Sequence, residues 1–210
     1  MRVAYGLLFV LLAAAPSAAQ VPDGLTLEFR VLRDGGEIGR HRVRFAHDGD
    51  ALTVETEVRI EVSFAFITLY RYVLDGVETW RDGRLMELTT ATDDDGDHYA
   101  VHGVAQGDTF VVEAGGDTWT APGTAVPSSL WHRDLARGPL LIGMEQGERL
   151  AIVVEEVGRE TVPGRGGDIS ATHMVVSGDL ERELWYDDDG VLVYLRLVAR
   201  DGLIIGYRLE

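Results

Sequence analysis

The chain has 210 residues, a formal charge of −16 and no cysteine. That length suits one domain with a real core, and the missing thiols exclude disulfides, thiolate metal sites and a cysteine nucleophile. A strongly negative field repels polyanions, so no nucleic acid is expected as a partner; every basic residue is Arg, and none is Lys.

The chain opens with the marks of an export leader. Arg2 is a short positive region, residues 3–15 are apolar and Ala-rich, and Pro16-Ser17-Ala18-Ala19 offers small residues for cleavage before Gln20. The run falls short of the ~20 apolar residues a stable membrane span needs. The expectation is a cleaved signal peptide over residues 1–19 and a single antiparallel β domain over 20–210. The mature chain is expected to be exported, without a transmembrane segment and without the cysteine a lipid anchor requires.

Past the leader, turn signals recur. Asp-Gly stands at 23–24, 34–35, 48–49, 75–76, 82–83, 95–96, 189–190 and 201–202, and this pair tolerates the positive φ of tight hairpin turns. Between these points apolar and polar residues alternate with period two, which predicts an all-β antiparallel meander rather than βαβ units. Leu25, Leu27, Phe29 and Val31 share a face with Val43 and Phe45, and with Leu52, Val54, Val58, Ile60 and Val62. A three-residue loop at 34–36 sets Leu27 opposite Val43 and Glu28 opposite Arg42. A two-residue turn at 48–49 sets Val43 opposite Val54, Arg42 opposite Glu55 and Arg40 opposite Glu57. A slip of one residue would put charges on the core face.

Residues 63–74 turn apolar and aromatic, and are expected to form a strand covered on both faces or flanking a groove. Further strands are expected at 77–80, 85–92, 98–105, 110–113 and 118–121. Residues 122–128 are the expected crossing between an N-terminal and a C-terminal sheet. The one short helix is placed near 128–136, capped by Ser128 or Ser129 and stopped by Gly138-Pro139. Strands follow at 150–157, 171–177, 180–186, 191–198 and 203–209, with an exposed turn over 159–168.

Motifs for chemistry fall short. Asp93-Asp94-Asp95-Gly96-Asp97 and Asp187-Asp188-Asp189-Gly190 lack the end ligands of a calcium loop and read as acidic turns. His98 and His102 lie ~13 Å apart on a strand, too far to share one metal. No nucleophile elbow, P-loop or zinc-protease motif occurs, and no metal or cofactor is expected. Ser128, His132 and Asp134 are too close in the chain for a catalytic triad. The aromatic residues Tyr70, Tyr72, Trp80 and Trp131, with His132 beside the last, are the candidate ligand-binding residues; packing in the sheet is their competing role.

Three stretches carry a resemblance. They are Phe64-x-Phe66-Ile67-x-x-Tyr70-Arg71-Tyr72 leading to Glu78-x-Trp80-x-x-Gly83-x-Leu85; Pro127-x-Ser129-x-Trp131-His132; and Leu184-Trp185-Tyr186-x-x-x-Gly190-x-Leu192-Val193, running on to Asp201-Gly202 and Tyr207-Arg208-Leu209. In this order they resemble the exported bacterial family catalogued as domain of unknown function 6134, and more distantly the exported family numbered 3108. The resemblance implies a periplasmic all-β domain with a rolled or half-open barrel-like sheet, and favours the periplasm over the extracellular space. It implies no reaction. The leading expectation is a non-enzymatic binding or envelope-associated module for an apolar or amphipathic ligand, a lipid or a glycan. The alternatives are a hydrolase or lyase of envelope polysaccharide, using His132 or paired acids, and a structural module that meets an envelope protein through a sheet edge.

Overall fold

A strand whose side chains alternate in polarity buries one face only, and a long run of such strands must curl to hide that face. The structure is a computed structural model describing residues 21–164, 166–199 and 202–210. The first meander contains β1 (Thr26–Arg33), β2 (Gly36–Asp48), β3 (Ala51–Phe64), β4 (Ile67–Arg81), β5 (Arg84–Asp94), β6 (Asp97–Gln106), β7 (Thr109–Ala114) and β8 (Asp117–Pro122). The second contains β9 (Val126–Pro127), β10 (Leu140–Ile142), β11 (Arg149–Gly164), β12 (Gly167–Gly178), β13 (Arg182–Tyr186), β14 (Leu192–Val198) and β15 (Ile204–Leu209).

All fifteen strands make one sheet, in the order β8-β7-β6-β5-β4-β3-β2-β1-β15-β14-β13-β12-β11-β10-β9. The two meanders fuse where β1 pairs with β15, Phe29 opposite Leu209. Every pairing is antiparallel except the short β9–β10 contact. The sheet is rolled but not closed. Trp119 on β8 donates its indole N–H to the Gly147 carbonyl at 2.8 Å, and the Arg149 guanidinium sits 4.6 Å over the same ring, so the two ends of the sheet approach each other. The expected rolled, half-open β sheet is what forms.

The predicted faces hold. Leu27 pairs with Val43 and Glu28 with Arg42, whose side chains meet at 2.8 Å. The first turn is Asp34-Gly35, both at positive φ, and a bulge after Val31 supplies the extra residue expected in the loop. The second hairpin differs. It turns at Gly49-Asp50, so Arg42 faces Glu57 and Arg44 faces Glu55. The shift is two residues, which keeps every side chain on its face and still brings opposite charges together.

Four other expectations change. Asp75-Gly76 is no turn: β4 runs straight through it. A Cβ at Gly76 would stand 2.7 Å from the Met144 side chain, so this glycine makes room for a close approach rather than a bend. Residues 63–74 form no single covered strand. The chain reverses at Ala65-Phe66, and Phe64, Phe66, Ile67 and Leu69 lie exposed at the tip of the β3–β4 hairpin. The stretch 159–168 is mostly strand, because β11 and β12 pair out to Gly164 and Gly167.

The expected helix over 128–136 shrinks to a 3-10 turn, Arg133–Arg137. Ser128 and Ser129 do not cap it. Ser128 is held in extended pairing, its N–H donating to the Ile142 carbonyl and its hydroxyl accepting from the Met144 N–H, and Leu130 has a φ of +49°. The cap is His132, whose Nδ1 accepts from the Asp134 N–H at 3.2 Å. Helix signals lose because residues 125–136 and 141–144 are buried or half-buried rather than laid on a surface. They thread the inside of the roll. Trp131 meets Phe45 on one wall, and the Leu130 carbonyl accepts from the Tyr186 hydroxyl on the other.

Candidate ligand cavity

This threading segment fills only part of the interior. At one end Phe29, Phe45, Trp80, Phe110, Trp131 and Tyr186 pack into one large core. At the other the lining mixes aliphatic with polar side chains. There Val58, Leu74 and Met144 form a separate small cluster, and a cavity of about 630 Å³ remains. That is within the ~300–1,000 Å³ of small-molecule sites.

The boundary between the two ends is a belt of buried polar side chains on the inner face. His41 interrupts the apolar series of β2, Thr56 that of β3, Glu78 that of β4, and Thr90 that of β5. Their register makes them neighbours: Thr56 faces Gly76, Gly76 faces Thr90, and His41 faces Val58. Glu78 is fully buried. One oxygen, Oε2, accepts from Trp80 Nε1 at 2.8 Å and from Trp131 Nε1 at 3.2 Å. The other, Oε1, lies beside the Ser129 hydroxyl without a hydrogen bond of good geometry. Burial pushes this carboxyl well above the usual carboxylate range, and the hydroxyl and two indoles offset only part of that. Through the Trp131 indole this carboxyl ties the threaded segment to the wall.

The cavity wall is aliphatic over Val58, Ile60, Leu74, Leu195, Leu197 and Ile205. Two tyrosine–carboxylate pairs face it from one side: Tyr70 donates to Asp94 at 2.7 Å, and Tyr72 to Glu145 at 3.2 Å. Burial and the adjacent Glu145 raise the Tyr72 phenol above its usual range. On the other side stand His41, Tyr207 and Arg182. The His41 ring stacks on Phe29 at 5.4 Å and meets Tyr207 edge-on at 5.7 Å. Burial, then the Arg182 charge, lower its pKa to about 4, so the imidazole is neutral at pH 7. His41 Nε2 and Thr56 Oγ1 are sealed from solvent and have no hydrogen-bond partner among the described residues.

The candidate residues from the sequence therefore divide. Tyr70 and Tyr72 line the cavity. Trp80 and Trp131 sit in the packed core, their indoles 6.2 Å apart around Glu78. His132 reaches neither place. Its Nε2 donates to the Asp189 carbonyl and its Nδ1 caps the 3-10 turn, against a turn where a Cβ at Gly190 would come within 2.9 Å of the ring. His41, Thr56 and Arg182 were not singled out. For the first two the signal was available: each is a polar residue in core-face register. Arg182, at the start of a strand, gave none.

Among the described residues no group of three or more His, Cys, Asp or Glu side chains is placed to hold a metal ion. No helix among them is long and apolar enough to cross a membrane. The acidic stretches at 93–97 and 187–190 form turns, with Asp93 accepting from the Gly96 N–H and Asp187 from the Val191 N–H.

No curated protein matches the chain. Among solved structures, the chain is similar to a crystal structure described as a beta-barrel-like protein of domain of unknown function DUF1849 from Brucella abortus. The TM-score is 0.56 and the identity 13%, over 88% of this chain and 95% of that one. This likeness supports the rolled-sheet architecture. The three aromatic and turn motifs find their counterpart at the level of sequence families: over residues 29–210 the chain matches, and belongs to, the family described as Domain of unknown function (DUF6134).

Proposed function

We propose that this protein is an exported, periplasmic binding module whose rolled sheet takes a single apolar or amphipathic ligand, a lipid in preference to a glycan. The observation that carries the reading is the 630 Å³ cavity, with a continuous aliphatic stretch over Val58, Ile60, Leu74, Leu195, Leu197 and Ile205. Burying an acyl chain there gains roughly 0.8 kcal/mol per CH₂ group. The export reading rests on the leader features of residues 1–19.

The polysaccharide-hydrolase alternative has less support. Both ring nitrogens of His132 are engaged by backbone groups. Glu78, the strongly perturbed carboxyl, is sealed in the core rather than open to the cavity.

The test is native mass spectrometry of protein purified from its own cells, followed by extraction and lipid analysis. The expected result is one non-covalent lipid adduct. Val58→Phe, which narrows the cavity, is expected to cut occupancy about tenfold, the effect of losing about two buried methylene equivalents. A bare mass, together with no uptake of a hydrophobic dye by the wild-type protein, overturns the reading.

A further inference from the structure

Two carboxylates, Asp94 and Glu145, and two guanidiniums, Arg33 and Arg182, line the cavity, and their placement specifies the ligand further. Asp94 and Glu145 stand on the β4 side, each accepting a tyrosine hydroxyl. Arg182 enters from the opposite side, at the start of β13, where it pairs across the sheet with Val176. It lines the cavity and lies near enough to act electrostatically on both His41 and Tyr207. Yet no carboxylate forms an ion pair with it among the described residues, although the chain carries 35 acidic residues and the outward-facing Arg42, Arg44 and Arg59 of β2 and β3 have each found one. A half-buried guanidinium without a counter-ion is costly in a low-dielectric cleft. His41 Nε2, Thr56 Oγ1 and Ser129 Oγ are buried and without partners among the described residues, and all three residues line the same cavity. A buried donor or acceptor left unmatched is an unusual expense in a native fold. Here a cation and three buried polar groups lack counterparts around one pocket.

We infer that the cavity binds an anionic amphiphile, its carboxylate or phosphate head held by Arg182 with His41 and Thr56 completing the polar end, and its chain lying against Val58, Ile60, Leu195 and Leu197. A guanidinium is the side chain best matched to a carboxylate or phosphate, which it meets with two parallel N–H donors. His41 stays neutral and has one N–H to give and one lone pair to receive. The carboxylates of Asp94 and Glu145 repel an anion from the far wall, which fixes the head at the Arg182 side. The net charge of the molecule works against anions at long range, so any preference for an anion must arise locally, in this cavity. The inference rests on the reading of the cavity as an amphiphile site.

The test measures binding of four ligands with the same chain, dodecanoate, dodecyl phosphate, dodecanol and dodecylamine, to delipidated wild-type protein and to Arg182→Gln and Arg182→Lys. Dodecanoate or dodecyl phosphate is expected to bind about tenfold to a hundredfold tighter than dodecanol, the worth of one charge-assisted hydrogen-bonded contact. Dodecylamine is expected to bind weakest. Arg182→Gln should bring the anions down to the level of dodecanol and leave dodecanol unchanged, which also shows that the fold is intact; Arg182→Lys should restore part of the preference. Whichever anion binds tighter assigns the head as carboxylate or phosphate. Equal binding of dodecanol and both anions, or an anion preference that survives Arg182→Gln, overturns the inference and leaves the apolar cavity standing. Failure of all four ligands to bind overturns the cavity reading with it.

Discussion

The two ends of the roll are built from the same strands and have opposite interiors. On β3, Leu52 and Val54 are fully buried in the aromatic core, while Val58 and Ile60, further along the same face, line the cavity. On β4, Trp80 belongs to the core, and Tyr72 and Leu74 belong to the cavity. The strands do not change character between the ends. The difference comes from what is laid inside them. Residues 123–148 bring Leu130, Trp131, Leu135, Ala136, Leu141 and Ile142 to one end, and only Ser128, Ser129, Met144 and Glu145 reach the cavity at the other. A rolled sheet of this size encloses more space than its own side chains fill. Whether that space becomes core or pocket depends on where the crossing segment runs. The polar belt of His41, Thr56, Glu78 and Thr90 marks the division, and Glu78 fastens the segment there through Trp131.

Breaking the packed end should cost most. Trp131→Ala removes the ring that touches Phe45, Trp80 and His132 and one of two indole donors to Glu78. A loss of ~3–5 kcal/mol is expected from urea denaturation. A loss below ~1 kcal/mol would mean that the crossing segment does not anchor the core.

The belt itself has a pH signature. His41 titrates at about 4 in the folded protein and near 6.5 when unfolded. Between those values only the unfolded chain takes up the proton, so stability is full above pH 6.5 and falls as pH drops toward 4. The slope is about 1.4 kcal/mol per pH unit, or up to ~3 kcal/mol across the window. His41→Leu should remove this part of the acid sensitivity, read as the difference between wild-type and variant denaturation curves at pH 7 and pH 4.5. The His132 pKa is also lowered, chiefly by burial, and its share of the acid loss should remain in the variant. Parallel pH profiles for the two proteins would contradict the assignment.

The finest comparison uses one strand and one substitution. Val54→Phe overfills the packed end and is expected to cost ~1–3 kcal/mol. Val58→Phe, four positions along the same face, has the cavity to grow into and is expected to cost less than ~1 kcal/mol. Equal losses in thermal or urea unfolding would show that the two ends are packed alike.

Much of this architecture is local and was legible in the chain. Alternation set which residues of β1, β2 and β3 face inward, and Asp34-Gly35, Asp82-Gly83 and Asp95-Gly96 do turn at positive φ. These are properties of a few adjacent residues, governed by backbone sterics and the two-residue period of a strand. The exact register at Gly49-Asp50 was less legible, because a shift of two residues leaves every face unchanged. Asp75-Gly76 carried the same local signal as the true turns, and only its pairing with β3 on one side and β5 on the other holds it straight. The helix signals of 128–136 were overruled in the same way, by burial of that segment between two walls. The amino-acid order determined an all-β chain with one apolar face per strand. The tertiary structure decided that the sheet rolls, that one segment fills half of it, and that His41, Thr56 and Arg182, far apart in sequence, converge on the half it leaves open. Convergence of that kind is a product of long-range packing, and no local pattern encodes it.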